Sequence, residues 1–245
     1  MNSDLLSKDK ISELLETESL GRKMVVYKST SSTNDVAWQY SVNLRNHGTA
    51  VLSEYQNKGR GRRSRKWHSK PSQSLIISVL LCNMQISAEL VSLTAAVAAA
   101  ETIARPGRHR AKIKWPNDIM IADKKICGIL VESKKSKDRT DFVVGIGINC
   151  HQGLEDFLEH KLTNPATSID IESGIFTDRN QLAANLLNIF EAQLEVAFTR
   201  SSKIITQWKS MSNQIGSRLT IEYNHHEFTG NCIGVDPANG LILQL

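Results

Sequence analysis

The sequence has 245 residues, 40% of them hydrophobic and 22% charged, with 30 Lys and Arg against 25 Asp and Glu. That size suits one large domain, alone or with a small appendage, and the composition is that of an ordinary globular protein. No apolar run reaches membrane-spanning length, and the N-terminus (Met-Asn-Ser-Asp-Leu-Leu-Ser-Lys-Asp-Lys) lacks an apolar signal core, so a cytoplasmic protein is expected.

Residues 5–16 carry Leu5, Leu6, Ile11, Leu14 and Leu15 at helical spacing, with Ser7 as a candidate cap, and Gly21 breaks the pattern. One short helix is too little for a helix-turn-helix. Met24-Val25-Val26-Tyr27 reads as a strand running into the hydroxyl-rich segment 29–35, after which a helix begins. Such a segment is either a helix cap or a set of hydroxyls and amides that hold a small polar ligand group. Residues 49–56 form a strong strand that delivers the chain into residues 57–70.

That stretch, Asn-Lys-Gly-Arg-Gly-Arg-Arg-Ser-Arg-Lys-Trp-His-Ser-Lys, holds seven basic residues and no acidic one. Without it the chain has 23 basic residues against 25 acidic. The protein is therefore near neutral apart from one cationic loop. Gly59 and Gly61 permit tight turns and close approach to a ligand, and arginines grip phosphate or carboxylate in a bidentate way. The loop is expected to bind an anion.

Residues 75–81 are continuous enough to form a strand buried on both faces. Residues 88–104 are an Ala-rich core helix, ended by Pro106-Gly107. Residues 112–132 read as a hairpin with a turn at Asp123-Lys124-Lys125 and a polar entry at Pro116-Asn117-Asp118, followed by a charged loop at 133–141. The strand at 142–149 carries Gly145 and Gly147 on alternate positions, which implies close approach by a ligand or another backbone. A long amphipathic helix covers 178–199, capped by Asp178. From about residue 212 the chain turns to short alternating strands, with turns at 224–226 and 237–240, the pattern of a small all-β appendage.

Three polar groups of residues stand at strand ends: the cationic loop, Lys114 to Asp118 with Lys125, and Asn149. Asn117 and Asp118 suit a hydrated Mg²⁺ or a phosphate, or else form an Asx-turn. Lys125 is a surface lysine or a cation for a phosphoryl or carboxylate group. There is no GxxxxGK[ST] loop and no full GxGxxG fingerprint. The four cysteines (Cys82, Cys127, Cys150, Cys232) form no CxxC pair and read as reduced, mostly buried thiols. The seven histidines (47, 68, 109, 151, 160, 225, 226) form no metal pattern. From the residues alone, the chain is an α+β enzyme that handles a nucleotide or another anion.

Residues 59–67 also closely resemble the GRGRxxRxW signature of the biotin protein ligases. Ser32-Thr33-Asn34 resembles that family's S-T-N/Q segment. Lys114-Trp115-Pro116-Asn117-Asp118 matches its KWPND signature letter for letter. Residues 125–132 resemble its K-x-x-G-I-L-x-E element, and residues 145–149 its G-x-G-I-N. Five motifs occur in the family's order across roughly residues 20–150.

The resemblance implies a catalytic domain like that of class II aminoacyl-tRNA synthetases and biotin ligases, a mixed β-sheet with helices, over 21–208. A linker helix would precede it at 1–20, and an SH3-like β-barrel would follow at 212–245. Whether that barrel is whole stays open, since relatives continue past the position of Leu245. The implied activity is ATP-dependent formation of biotinyl-5′-AMP with release of pyrophosphate, then transfer of biotin to a lysine of the biotin carboxyl carrier protein. Carried over by position, Ser32, Thr33, Asn34 and Gln56 would bind the biotin ureido ring, with Trp67 and Gly128 in the pocket wall. Arg60, Gly61 and Arg62 would lie over biotin and the adenylate as a clamp. Arg60, Arg62, Lys114, Asn117 and Asn149 would serve ATP, and Asn117 and Asp118 would serve Mg²⁺. Lys125 would bind biotin at its carboxylate or contact the α-phosphate, and Lys125, Arg60, Arg62 and Asp118 would be catalytic. About twenty residues precede Gly21, too few for a complete N-terminal winged helix, so specific DNA binding is not expected. A monomer or a homodimer is implied, with the 142–149 strand as the candidate dimer edge. The rival readings are a lipoate- or octanoate-transferring enzyme of the same superfamily, and a nucleic-acid-binding module built on the basic loop.

Overall fold

The computed structural model describes residues 4–104, 110–136, 138–159, 165–223 and 226–245. Pro106-Gly107, His109, His160 and most of the turn expected at 224–226 lie outside them. The helices are α1 (Lys8–Glu13), α2 (Thr33–Gln39), α3 (Ala88–Ile103), α4 (Leu154–Glu159), α5 (Ile169–Ser173), α6 (Arg179–Thr199) and α7 (Ser201–Met211). The strands are β1 (Met24–Tyr27), β2 (Ala50–Ser53), β3 (Ser74–Leu81), β4 (Lys112–Lys114), β5 (Asp118–Ile121), β6 (Lys124–Ser136), β7 (Arg139–Asn149), β8 (Arg218–Tyr223), β9 (His226–Asp236) and β10 (Gly240–Gln244).

Seven strands form a mixed sheet in the order β1-β2-β3-β7-β6-β5-β4. Only β1 and β2 run parallel; the other neighbours are antiparallel. All eight residues of β3 are buried, as its unbroken apolar run requires. Leu75, Ile77, Val79 and Leu81 face one side, where α3, α6 and α7 build the main core. Leu80 faces the other, against Val36 and Ala37 of α2 with Val51 and Val143. Helix α3 is buried on almost every side, and its alanines let α6 and α7 pack close around it. The long helix α6 starts as expected, with the Asp178 carboxylate accepting from Asn180 N and Gln181 N. The last three strands make a separate antiparallel sheet in the order β10-β9-β8, consistent with an SH3-like domain. Trp115 lies against it: a Cβ at Gly240 would stand 3.7 Å from its ring, which also meets Trp208 of α7 edge-on at 5.8 Å, and its backbone N–H donates to Gln214 Oε1 just before β8 (2.5 Å).

Several expectations need correction. Residues 112–132 form a three-strand meander, not a single hairpin: β4 pairs with β5, and β5 with β6. The second turn falls on Ala122 and Asp123, both with positive φ, one residue before the expected place. The supposed loop at 133–141 is mostly ladder, because β6 and β7 keep pairing from Ser133↔Phe142 to Ser136↔Arg139. Its charged side chains are given partners from outside the strands: Lys134 Nζ lies 4.3 Å from the centroid of the Trp38 ring, and Arg139 bonds the Ser41 carbonyl. The 142–149 strand cannot be a dimer edge, since β3 and β6 flank it on both sides. The sheet's edges are β1 and β4. The sequence reading also missed α4, α5 and α7.

Candidate functional site

A cavity of about 860 Å³ opens where the basic loop, the starts of α2 and β5, and the middle of β6 and β7 converge. Asn239, Gly240 and Leu241 of the second sheet complete its far wall.

At its polar end, Ser32 holds the N-cap position of α2 but makes no side-chain cap bond, so capping does not account for this hydroxyl-rich segment. Ser32, Thr33 and Asn34 are all buried. Thr33 donates to Gln56 Oε1 through its N–H (2.6 Å) and its hydroxyl (3.0 Å). Ser78 Oγ stands 2.7 Å from Thr33 Oγ1 and 2.6 Å from Asn34 Oδ1. Asn34 Nδ2 is buried without a partner among the described residues.

The middle of the cavity is a wall of glycine backbone. Gly128 and Gly147 face each other across β6 and β7, and Gly145 pairs with Ser78. A Cβ at Gly145 would collide with Asn34 Oδ1. One at Gly147 would fall 2.6 Å from the Trp67 ring, and one at Gly128 would fall 3.1 Å from it. The alternate glycines therefore admit two side chains, an asparagine and an indole, where the sequence had implied a ligand or another backbone.

At the cationic end, Lys125 Nζ pairs with Asp118 Oδ1 at 2.6 Å and lies 5.9 Å from the centroid of the Trp67 ring. Asn117 is locked in place: its Nδ2 donates to the Ile129 carbonyl (2.5 Å), and its own carbonyl accepts from Ile129 N (3.0 Å). It lines the cavity together with Asp118 and Lys114.

The basic loop folds back on itself. Gly61 N donates to Arg65 O, Trp67 N donates to Gly59 O, and Arg63 takes φ +52. Arg60 spans two carboxylates, Asp35 at 2.7 Å and Glu132 at 3.0 Å. The Asp35 hydrogen bond, aided by Glu132, raises the Arg60 pKa further against partial burial. Arg62, Arg63, Arg65 and Lys66 are exposed on the rim.

Asn149 does not line this cavity. It is buried beside it, with Nδ2 donating to Thr167 O (2.9 Å), and it lines a smaller void of about 110 Å³ that shares Trp67 and Lys125 with the larger one. Four polar atoms of residues around that void are buried without partners among the described residues: Trp67 Nε1, Ser69 Oγ, Gln73 Oε1 and Gln152 Oε1.

The structure thus brings Ser32, Thr33, Asn34, Gln56, Arg60, Gly61, Arg62, Trp67, Lys114, Asn117, Asp118, Lys125 and Gly128 around one cavity and puts Asn149 next door. Sequence reasoning missed Ser78, Asp35, Glu132 and Gln152. Ser78 left a signal of its own, a lone hydroxyl in the middle of the apolar run Leu-Ile-Ile-Ser-Val-Leu-Leu, while Glu132 and Asp35 stood inside the segments 125–132 and 29–35 without a role assigned. The four cysteines are free and buried, as expected. Burial pushes the Cys150 thiol up to about 12 and raises Cys127 as well.

A fold and a site of this kind define a class. Residues 26–149 match the biotin/lipoate A/B protein ligase family, and the chain belongs to it. It is 34% identical to the bifunctional ligase/repressor BirA of Bacillus spizizenii, over 98% of this chain and 74% of that one. It is 30% identical to the biotin–[acetyl-CoA-carboxylase] ligase of Paracoccus denitrificans, over 88% of this chain and 91% of that one. The solved biotin protein ligase from Aquifex aeolicus in complex with biotin and ATP superposes with a TM-score of 0.75 at 26% identity, covering 91% of both chains.

Proposed function

We propose that this chain is an ATP-dependent biotin protein ligase that activates biotin as biotinyl-5′-AMP and passes it to a lysine of the biotin carboxyl carrier protein. The observation that carries the reading is the order of chemistry along one cavity. Buried hydroxyls and amides close one end (Ser32, Thr33, Asn34, Gln56), the Trp67 ring and glycine backbone form the middle, and cations stand at the other end (Lys125, Lys114, Arg62). A polar uncharged head, an apolar body and an anionic tail match that order, and biotin has all three.

In the first step an oxygen of the biotin carboxylate attacks the α-phosphorus of ATP. The bond from that phosphorus to the bridging oxygen breaks, and pyrophosphate leaves. Both reactants are anions, so the barrier falls when fixed cations offset their repulsion and the charge that builds up on the phosphoryl oxygens. Lys125, Lys114 and Arg62 supply that charge. Arg60 is already balanced by Asp35 and Glu132, which suits it to bracing the loop over the carboxylate and phosphate. Asn149 and the small void beside it seat the nucleotide's base end. Asn117 Oδ1 and the Asp118 oxygen not engaged by Lys125 are hard donors, and they fit Mg²⁺, which takes one or two protein oxygens beside phosphates and water. A bound Mg²⁺ would supply further neutralisation of phosphate charge. In the second step the carrier lysine, as a neutral amine, attacks the acyl carbon and AMP leaves. Asp118 accepts the amine's proton, so Asp118→Asn is expected to slow transfer from preformed adenylate by about 10²-fold; an unchanged single-turnover transfer rate would remove Asp118 from that role.

The domain reading extends the proposal: a linker helix at 1–20, a catalytic domain at 21–208 and an SH3-like domain at 212–245. A cytoplasmic location fits the four free buried cysteines, and among the described residues no helix is long and apolar enough to cross a membrane. The protein acts as a monomer, or as a homodimer through β1 or β4. The buried hydroxyl and amide cluster favours biotin over lipoate, whose dithiolane would leave those groups unpaired. Because the basic loop rims a cavity, a small anionic ligand also fits better than a nucleic acid. Isothermal titration with biotin, with and without ATP, tests the assignment, and pyrophosphate release with biotin against lipoate tests the substrate. Heat with lipoate but none with biotin would overturn it.

A further inference from the structure

Ser78 stands in the middle of β3, fully buried, on the face that packs against α2. Val51 pairs with it from β2 and Leu80 lies two residues along β3, both in the apolar cluster under α2, so a hydroxyl there is costly unless bonded. Its Oγ lies 2.7 Å from Thr33 Oγ1 and 2.6 Å from Asn34 Oδ1, with one proton to share between them, and both belong to the cavity's polar end. Across the sheet Ser78 pairs with Gly145, whose missing side chain makes the room that Asn34 occupies.

The Thr33 N–H fixes which end of Gln56 is left to donate. The Thr33 backbone N–H can only donate, so its partner on Gln56 is Oε1, and Nε2 is the end left to donate. Asn34 rests its Oδ1 on Ser78, and its Nδ2 is buried without a partner among the described residues. Thr33 lies between the two, held by Gln56 on one side and Ser78 on the other.

We infer that Ser78 is a positioning residue for ligand recognition: its hydroxyl orients Thr33 and Asn34 so that the cavity's closed end offers amide donors to a carbonyl acceptor. This rests on the ligase reading, in which that acceptor is the ureido oxygen of biotin. Ser78 does not touch the ligand.

The test is steady-state pyrophosphate release by the full chain, with biotin and with 2-iminobiotin, whose carbonyl oxygen is replaced by a protonated imino nitrogen at neutral pH. Ser78→Ala is expected to raise the biotin KM about tenfold, the value of one buried hydrogen bond, with kcat and the ATP KM within about twofold. The preference of the wild type for biotin over 2-iminobiotin is expected to narrow by about the same factor. Ser78→Cys keeps the volume and a weak donor, is expected to fall between the two, and carries the test if the alanine variant does not fold. Thr94→Val, which deletes a buried hydroxyl bonded inside α3, is expected to change neither ratio. An unchanged biotin KM in a folded Ser78 variant, or an equal loss in all parameters with the biotin preference intact, would overturn the inference while leaving the ligase reading in place. Absence of biotin binding by the wild type would instead remove the ligase reading, and this one with it.

Discussion

Gly147 lacks a side chain because the indole of Trp67 lies where one would be. An added Cβ would meet two of the ring's carbons at 2.6 and 2.7 Å, and both sheet neighbours of β7 hold its backbone fixed. Gly147→Ala is therefore expected to push the ring off its wall, costing about 1–3 kcal/mol of stability and weakening biotin binding by at least about tenfold; melting and titration calorimetry read the two effects separately. Lys125 Nζ stands 2.6 Å from Asp118 Oδ1 and 5.9 Å from the centroid of the Trp67 ring. Lys125→Gln leaves its Asp118 partner without this cation and removes a charge from the proposed phosphoryl site. The expected result is a fall in adenylate formation of about 10²-fold or more with biotin affinity changed less, measured by pyrophosphate exchange. At this scale the motifs were legible because their residue types have few uses: paired glycines, an Asn-Asp after a proline, clustered arginines. The partners of those residues were not legible. Nothing near Arg60 in the chain marks Asp35 or Glu132, which lie 25 and 72 positions away and meet it only in the fold.

The elements read best where burial imposes one period. β3 is buried on both faces and shows an unbroken apolar run; α6 carries its cap, its stripe and its length in the sequence. Asp178→Ala removes two bonds to the first turn of α6 and is expected to cost about 1 kcal/mol, visible as a lower denaturant midpoint with unchanged m-value. The outer half of the β6 and β7 hairpin escaped because its residues are charged on both faces, which reads as a loop. Its pairing comes from continuation of a ladder already begun in the core, with Trp38 and Ser41 receiving the charged side chains. Helix α7 was hidden by its low mean hydropathy: only Ile204 and Trp208 are buried. The dimer-edge expectation failed for a topological reason. The family resemblance suggested a sheet-edge dimer without saying which strand is an edge, and the strand order places β7 between β3 and β6.

Across the whole molecule, the N-terminal segment is tied to the seven-stranded sheet by one buried cation. Arg179, at the start of α6 and fully buried, bonds Asp4 Oδ1 (2.8 Å), Glu54 Oε2 (2.7 Å) and the Ser74 carbonyl (3.1 Å). Glu54 also accepts from Leu6 N (2.6 Å) and lies two residues before Gln56 in the cavity. Removing the cation would leave two buried carboxylates without their guanidinium partner, so Arg179→Met is expected to cost about 3–5 kcal/mol. The same tie is pH-dependent through His151, which lies 3.2 Å from Asp4 Oδ2 and 2.7 Å from Asp170 Oδ2 and stacks on Phe176 at 4.3 Å. Burial alone would lower the His151 pKa, but the Asp4 and Asp170 hydrogen bonds override it and raise the value above 6.5. Burial alone would likewise raise Asp4, yet bonds from His151 and Arg179 bring it from 3.8 down to about 2. A raised histidine pKa contributes stability that is complete below 6.5 and is lost as pH rises through the higher folded value. A lowered carboxylate pKa contributes stability that is complete above 3.8 and is lost as pH falls through about 2. Both contributions are present together between about pH 4 and 6.5. The difference in melting temperature between wild type and His151→Gln is therefore expected to be largest in that window and to shrink towards pH 8. A difference that stays constant across the range would mean that the imidazole is held there by packing on Phe176 alone.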